Sequence, residues 1–255
     1  MRRYNLKSCH TVVAVCALAA LVASSSARAA SINYGDFAPS PPDVMFLDVT
    51  ESSGTDSVPQ YGPPSVYSNG LDFDPIGFTS SADNGTADIS DGQLNFTIMG
   101  NGALGVGSIT ISEGGDFSLI GTGTAATWVS AGIAARAKII EVNNLPVAPI
   151  TVPAASVSGS WDLPTDAGIA VPWDLGLLYD ISAMLPSGSV ATKVEVVINN
   201  TLASASEPGT AAFIAKKDFQ IDIETLEVQE IPEPSTVVLL GVALCGLGLV
   251  GANRR

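Results

Sequence analysis

Between residues 30 and 230 the chain has no cysteine and no histidine; Cys9, Cys16, Cys245 and His10 all lie outside that stretch. Without thiols it can form no disulfide, so its stability must come from packing or from bound cations. Without an imidazole it cannot build a serine or cysteine hydrolase around a histidine base. Zinc sites made of histidine and cysteine ligands are excluded for the same reason. Positive charge is scarce as well. All 25 acidic residues fall between Asp36 and Glu233, where only Arg136, Lys138, Lys193, Lys216 and Lys217 are basic, a net charge of −20. That surplus opposes binding to nucleic acid or an anionic membrane surface and favours solubility and cation association, so no nucleic-acid partner is expected.

The two ends have the opposite character. Arg2, Arg3 and Lys7 precede an apolar run over 11–22, and Ala27-Arg28-Ala29 then supplies a small-x-small cleavage site. This is the pattern of a secretory signal peptide over residues 1–29, removed by signal peptidase so that the exported chain starts at Ala30. At the other end residues 235–252 carry no charge, and Arg254 and Arg255 follow. At about 1.5 Å per residue this run reaches most of the way across a hydrocarbon core of about 30 Å, as a transmembrane helix. Basic residues favour the cytoplasmic side at both ends, which places everything between them outside the cytoplasm. On physical grounds alone an ordinary single-span anchor is an equal alternative.

Pro232, Glu233 and Pro234, the apolar run directly after them and the terminal Arg254-Arg255 resemble the PEP-CTERM sorting signal recognised by exosortases. Ile231 stands before the motif where valine is common. The resemblance is confined to residues 231–255 and is specific, because three elements occur in fixed order. It implies that an exosortase transpeptidase cuts at or near Pro232 to Pro234 after transient anchoring in the inner membrane. It also implies a destination at the cell surface or in the extracellular matrix of a Gram-negative-type bacterium that makes exopolysaccharide. A Pro-x-Pro segment cannot continue a helix and stays extended, which suits a protease cleft.

Residues 30–230 are long enough for one sizeable core, and one domain is expected. Apolar and polar residues alternate at 94–98, at 109–111 and most clearly at 218–224, where Phe219, Ile221 and Ile223 interleave with Asp218, Gln220, Asp222 and Glu224. Period two marks half-buried strands. Further strands are expected at 44–49, 117–120, 126–131, 137–142, 157–163, 177–181 and 190–199. Glu113-Gly114-Gly115, Asn143-Asn144 and Pro186-Ser187-Gly188 read as turns, and 31–67 as mainly loop around its one strand. The expected fold is all-β, an antiparallel β-sandwich of jelly-roll-like type.

Candidate sites follow from residue chemistry. The acidic segment 83–92 offers Asp83, Asp88 and Asp91, with Asn84, as oxygen ligands for Ca²⁺, although the spacing is not that of an EF-hand. Local Asx-turns are the competing reading. Trp161 and Trp173 occur in a short echo, Ser160-Trp161-Asp162-Leu163 and Pro172-Trp173-Asp174-Leu175, and flat indoles beside carboxylates suit a sugar platform as well as a core. Beyond that possible Ca²⁺ no cofactor is implied. Acid-pair glycoside hydrolysis needs only two carboxylates, but no pair stands out among so many. The expected function is that of an exported, non-catalytic surface or matrix protein associated with polysaccharide. A calcium-stabilised carbohydrate-binding module and a carboxylate-dependent glycoside hydrolase are the alternatives.

Overall fold

The computed structural model describes residues 30–40 and 42–229. The signal-cleavage residues Ala27 and Ala29 lie outside the described residues, as do the sorting residues Pro232, Glu233, Pro234, Arg254 and Arg255. Among the described residues no helix is long and apolar enough to cross a membrane.

The described residues fold into twelve antiparallel strands. They are β1 (Ala30–Phe37), β2 (Val44–Ser53), β3 (Ser65–Tyr67), β4 (Gly70–Phe73), β5 (Thr79–Asp83), β6 (Ala87–Gly100), β7 (Leu104–Ile120), β8 (Trp128–Val142), β9 (Leu145–Asp162), β10 (Gly168–Asp180), β11 (Ala191–Ala205) and β12 (Ala211–Glu227). A short helix, α1 (Leu163–Asp166), links β9 to β10 and is capped by the Asp162 carboxylate. Hydrogen bonding runs β1-β2-β6-β11-β8-β9 on one side and β10-β7-β12-β4-β3 on the other, with β5 beside the start of β12. Between β11 and β7 the two sets are joined by the single pair Ala191–Val106, so the nearly closed sheet has two faces that enclose one core. The chain crosses from one face to the other between β2 and β3, β5 and β6, β6 and β7, β7 and β8, and at each step from β9 to β12.

Strand alternation sets which side chains enter that core. Leu94, Phe96 and Ile98 of β6 face Val194, Val196 and Ile198 of β11 in register, and all six are buried. Each such side chain contributes about 1.5–3 kcal/mol through burial, which is how a thiol-free chain is stabilised. Edge strands are protected by proline: Pro146, Pro149 and Pro153 lie on β9, and Pro172 lies on β10.

Several expectations change. Glu113-Gly114-Gly115 is no turn; it lies in the middle of β7, where Glu113 continues the inward row of Ile109 and Ile111. Residues 30–37 form a strand where a loop was expected. The separate strands at 126–131 and 137–142 are one strand, β8, because Gly132 and the alanines accept extended geometry without breaking the ladder. The acidic segment is a loop only at Asn84–Thr86, since β6 has already begun at Ala87.

Phase along β12 is reset once. Lys216 pairs with Gly115 and Asp218 with Gly114, so Lys217 is an extra residue, a β-bulge. Ile214 and Lys216 point inward before the bulge, and Phe219, Ile221 and Ile223 point inward after it. Glycine is required opposite: a Cβ on Gly115 would sit 1.9 Å from the Ala215 carbonyl oxygen.

Candidate functional site

The structure separates the acidic residues around the tight turn joining β5 to β6. Asp88 and Asp91 are three apart on one strand, which aims them at opposite faces. Asp88 Oδ2 accepts the Ser81 N–H at 2.8 Å, and the Asp83 backbone closes the turn with Thr86. Asp91 Oδ1 accepts from Ser53 Oγ, Gly54 N, Thr55 N and Thr55 Oγ1, at 3.0, 3.0, 2.7 and 2.5 Å. Partial burial acts to raise the Asp91 pKa, but these bonds outweigh it and hold the carboxylate below its ordinary range. Its place is to fasten the loop after β2. Among the described residues no three acidic side chains are gathered where they could hold one metal ion.

The two tryptophans are brought together. Trp161 is the penultimate residue of β9 and Trp173 lies in β10, with ring centroids 6.0 Å apart, and Trp161 stacks on Phe117 at 5.1 Å. Trp173 is only 5% exposed and donates its Nε1–H to the Ala215 carbonyl at 3.3 Å. Both rings are thus engaged with the interior, at the corner where α1 turns the chain from one face to the other. Tyr179 is buried as well, its hydroxyl donating to the Val152 carbonyl at 3.2 Å.

Two features were not singled out by sequence reasoning. The first is an open groove of about 470 Å³ on the outer face of β11, β8 and β9, lined by Arg136, Lys138, Thr151, Pro153, Glu195 and Val197. Arg136 and Lys138 are exposed and, among the described residues, form no salt bridge. The groove is therefore a basic spot on an otherwise acidic body. A spacing of two along a strand puts both cations on one face, a signal present in the sequence.

The second lies between the two faces. Glu113 of β7, Lys216 of β12 and Asn200 of β11 occupy inward positions, and Tyr61, from the loop after β2, reaches into the same space. Glu113 Oε2 accepts from Lys216 Nζ and, at 2.7 Å, from Asn200 Nδ2. The Tyr61 hydroxyl donates to Asn200 Oδ1 at 2.5 Å, and Asn200 Nδ2 has the Gly132 carbonyl at 3.4 Å. Lys216 Nζ lies 4.6, 4.9 and 5.5 Å from the ring centres of Phe78, Phe219 and Tyr61. Burial among these rings lowers the Lys216 pKa to about 8, although the Glu113 charge acts to raise it. Tyr61 is driven the other way: burial first, then the charges of Glu113, Glu51 and Asp91, raise its pKa and keep the phenol protonated as a donor. Glu113 Oε1 is buried without a partner.

Tyr61 is positioned by another buried carboxylate. Glu51 of β2 accepts from the backbone N–H groups of Gln60, Tyr61 and Gly62 and from the Tyr34 hydroxyl at 2.6 Å. Gly92 makes room, since a Cβ there would meet Phe78 Cε2 at 2.5 Å and Tyr61 Cε2 at 2.8 Å.

No family model matches the chain, and no curated protein does. Among solved structures, the chain is similar to the module TmCBM61, seen in complex with β-1,4-galactotriose, at 11% identity over 61% of this chain and 70% of that one, with a TM-score of 0.26. An N-terminal cellulose-binding domain from a Cellulomonas fimi β-1,4-glucanase gives 12% identity over 71% and 90%, with a TM-score of 0.19. The infectious bursal disease virus VP2 particle gives 11% over 74% and 50%, with a TM-score of 0.22. At this level of overlap the ligands and activities of those proteins do not bear on this chain.

Proposed function

We propose that this chain is an exported, non-catalytic surface or matrix protein whose jelly-roll-like sandwich is sorted by an exosortase and contacts polysaccharide. The observation that carries the reading is the ordered tail: Pro232-Glu233-Pro234, the uncharged run and Arg254-Arg255, matched at the other end by a secretory signal. The histidine- and cysteine-free, strongly acidic middle agrees with a binding or structural role. Its carboxylates are largely spent on holding loops, as with Glu51 and Asp91. Polysaccharide contact is assigned to the outer groove, where Arg136 and Lys138 offer donors to hydroxyl or carboxylate groups and Pro153 and Val197 offer apolar area. The paired tryptophans then serve the core rather than the ligand.

The sorting reading predicts that, in a host with an exosortase, the native chain loses its tail while Glu233→Ala leaves a full-length membrane-bound species. If both stay intact, the reading is wrong. Binding to the host's own exopolysaccharide is expected to fall about tenfold in Arg136→Ala/Lys138→Ala, a loss of about 1.4 kcal/mol. Equal binding by the variant would move the contact elsewhere.

A further inference from the structure

We propose that Lys216 and Asn200 become joined by an intramolecular isopeptide bond, with Glu113 carrying the proton and Tyr61 polarising the Asn200 carboxamide. The four groups have the parts that such a condensation requires, and the inference rests on neither the sorting nor the polysaccharide reading.

The nucleophile is the Lys216 amine. Its side chain and that of Glu113 are fully buried; removal from water favours the uncharged, nucleophilic amine and outweighs the attraction of the Phe78, Phe219 and Tyr61 ring faces for the ammonium. Consistent with this, its pKa is lowered to about 8. The electrophile is Cγ of Asn200. Amide carbon is unreactive unless charge building on its oxygen is stabilised, and the Tyr61 hydroxyl already donates to Oδ1 at 2.5 Å. Nucleophile and leaving group share a single oxygen: Glu113 Oε2 contacts both Lys216 Nζ and Asn200 Nδ2. One carboxylate can therefore take a proton from the first and give one to the second without moving. Water is excluded, which protects the amide from hydrolysis and strengthens each of these interactions.

The balance closes without an oxidant, metal or cofactor. Glu113 removes a proton from the Lys216 ammonium, and the free amine adds to Cγ while Tyr61 holds the developing oxyanion. Nζ gives up a further proton through Glu113 to Nδ2. The Cγ–Nδ2 bond then breaks and ammonia leaves. The new Nζ–Cγ amide keeps one hydrogen, the ammonia carries three, and the fifth of those on the two nitrogens ends on Glu113, leaving it neutral. The buried charges of the starting pair are gone. That removes the desolvation cost of keeping an ion pair inside a core, and it gives the orphan Glu113 Oε1 a proton to carry. The product ties β11 on one face to β12 on the other. It supplies the covalent staple that a cysteine-free sandwich otherwise lacks.

A structural ion pair would show the same hydrogen bonds, so the test reads covalent chemistry. The full chain is allowed to fold, then denatured, and its intact mass and proteolytic map are measured by mass spectrometry. The expected mass is one ammonia below that of the sequence between the mapped termini, with a branched peptide joining the segments that contain Asn200 and Lys216. Glu113→Gln, Lys216→Arg and Asn200→Ala are expected to restore the sequence mass and to keep the wild-type β-sheet circular dichroism. Tyr61→Phe is expected to form the branch about 100- to 1,000-fold more slowly, the range seen when one oxyanion donor is lost. Folded wild-type chain with the full sequence mass and only linear peptides would overturn the proposal. So would an ammonia loss that maps to a linear peptide, or a branch that survives in Glu113→Gln.

Discussion

Two aromatic clusters sit inside the same sandwich and are built on different principles. Phe117, Trp161 and Trp173 stack and tilt against one another at 5.1 and 6.0 Å, and the buried indole N–H of Trp173 is satisfied by a backbone carbonyl. Tyr61, Phe73, Phe78 and Phe219 meet edge to face at 5.2–5.9 Å. They close around a lysine, a glutamate and an asparagine, and one carboxylate oxygen has no partner. Packing accounts for the first cluster completely. For the second, burial of a lone lysine and glutamate in apolar surroundings is costly, and such pairs often stabilise less than apolar residues of equal volume. An arrangement that is expensive as a salt bridge is well formed as a set of reactants.

The sharpest way to break this contrast is to cut each cluster once. Glu113→Ala leaves Lys216 buried with no counter-charge and is expected to cost about 3–5 kcal/mol in denaturant unfolding, with the loss of the covalent link in addition. Trp173→Ala is expected to cost about 3–5 kcal/mol through its cavity alone, with the one-ammonia mass deficit retained. If Glu113→Ala proves the milder of the two, the polar cluster is not under the strain described.

A smaller effect appears in the pH dependence. In Asn200→Ala no link can form, and Lys216 then titrates inside the fold. Its folded pKa of about 8 lies below the ordinary 10.5, so the unfolded chain binds more protons between those values. Stability of this variant should therefore rise from about pH 8 to about 10.5, while the linked wild type shows no such rise. A flat profile in the variant would mean that Lys216 is not buried as described. The smallest effect lies outside both clusters. Asp91 is held below its ordinary value of 3.8, so its contribution is present above that pH and fades as pH falls through the lowered folded value. Asp91→Asn should lose about 1 kcal/mol at neutral pH and show a shallower acid transition. An unchanged acid midpoint would detach Asp91 from the loop after β2.

Much of the architecture could be read from alternation, and the failures are informative. Phe219, Ile221 and Ile223 were placed correctly, but extending their phase backwards puts Lys217 inside and Lys216 outside. The bulge at Lys217 reverses that, and no residue in the local sequence announces it. Glu113 was hidden differently: two glycines after it resemble a turn, whereas both lie within β7, and Gly115 is needed because β12 approaches closely at the bulge. Asn200 stood one residue beyond the expected strand 190–199, in phase with the buried Val194, Val196 and Ile198. The tryptophan pair was legible as an echo of two Trp-Asp-Leu units, because the α1 corner brings both into one layer. Tyr61 was not legible, since a loop residue enters a core only through contacts distant in sequence, here with Glu51, Gly92 and Asn200.

Peptide mapping of the form found outside the cell tests the whole reading most directly, since it reports both termini of the delivered polypeptide at once. The expected result is a chain that opens at Ala30 and closes at or near Pro232 to Pro234, before the apolar run that begins at 235. A native protein retained in the cytosol with Met1 and Arg255 both in place would contradict it.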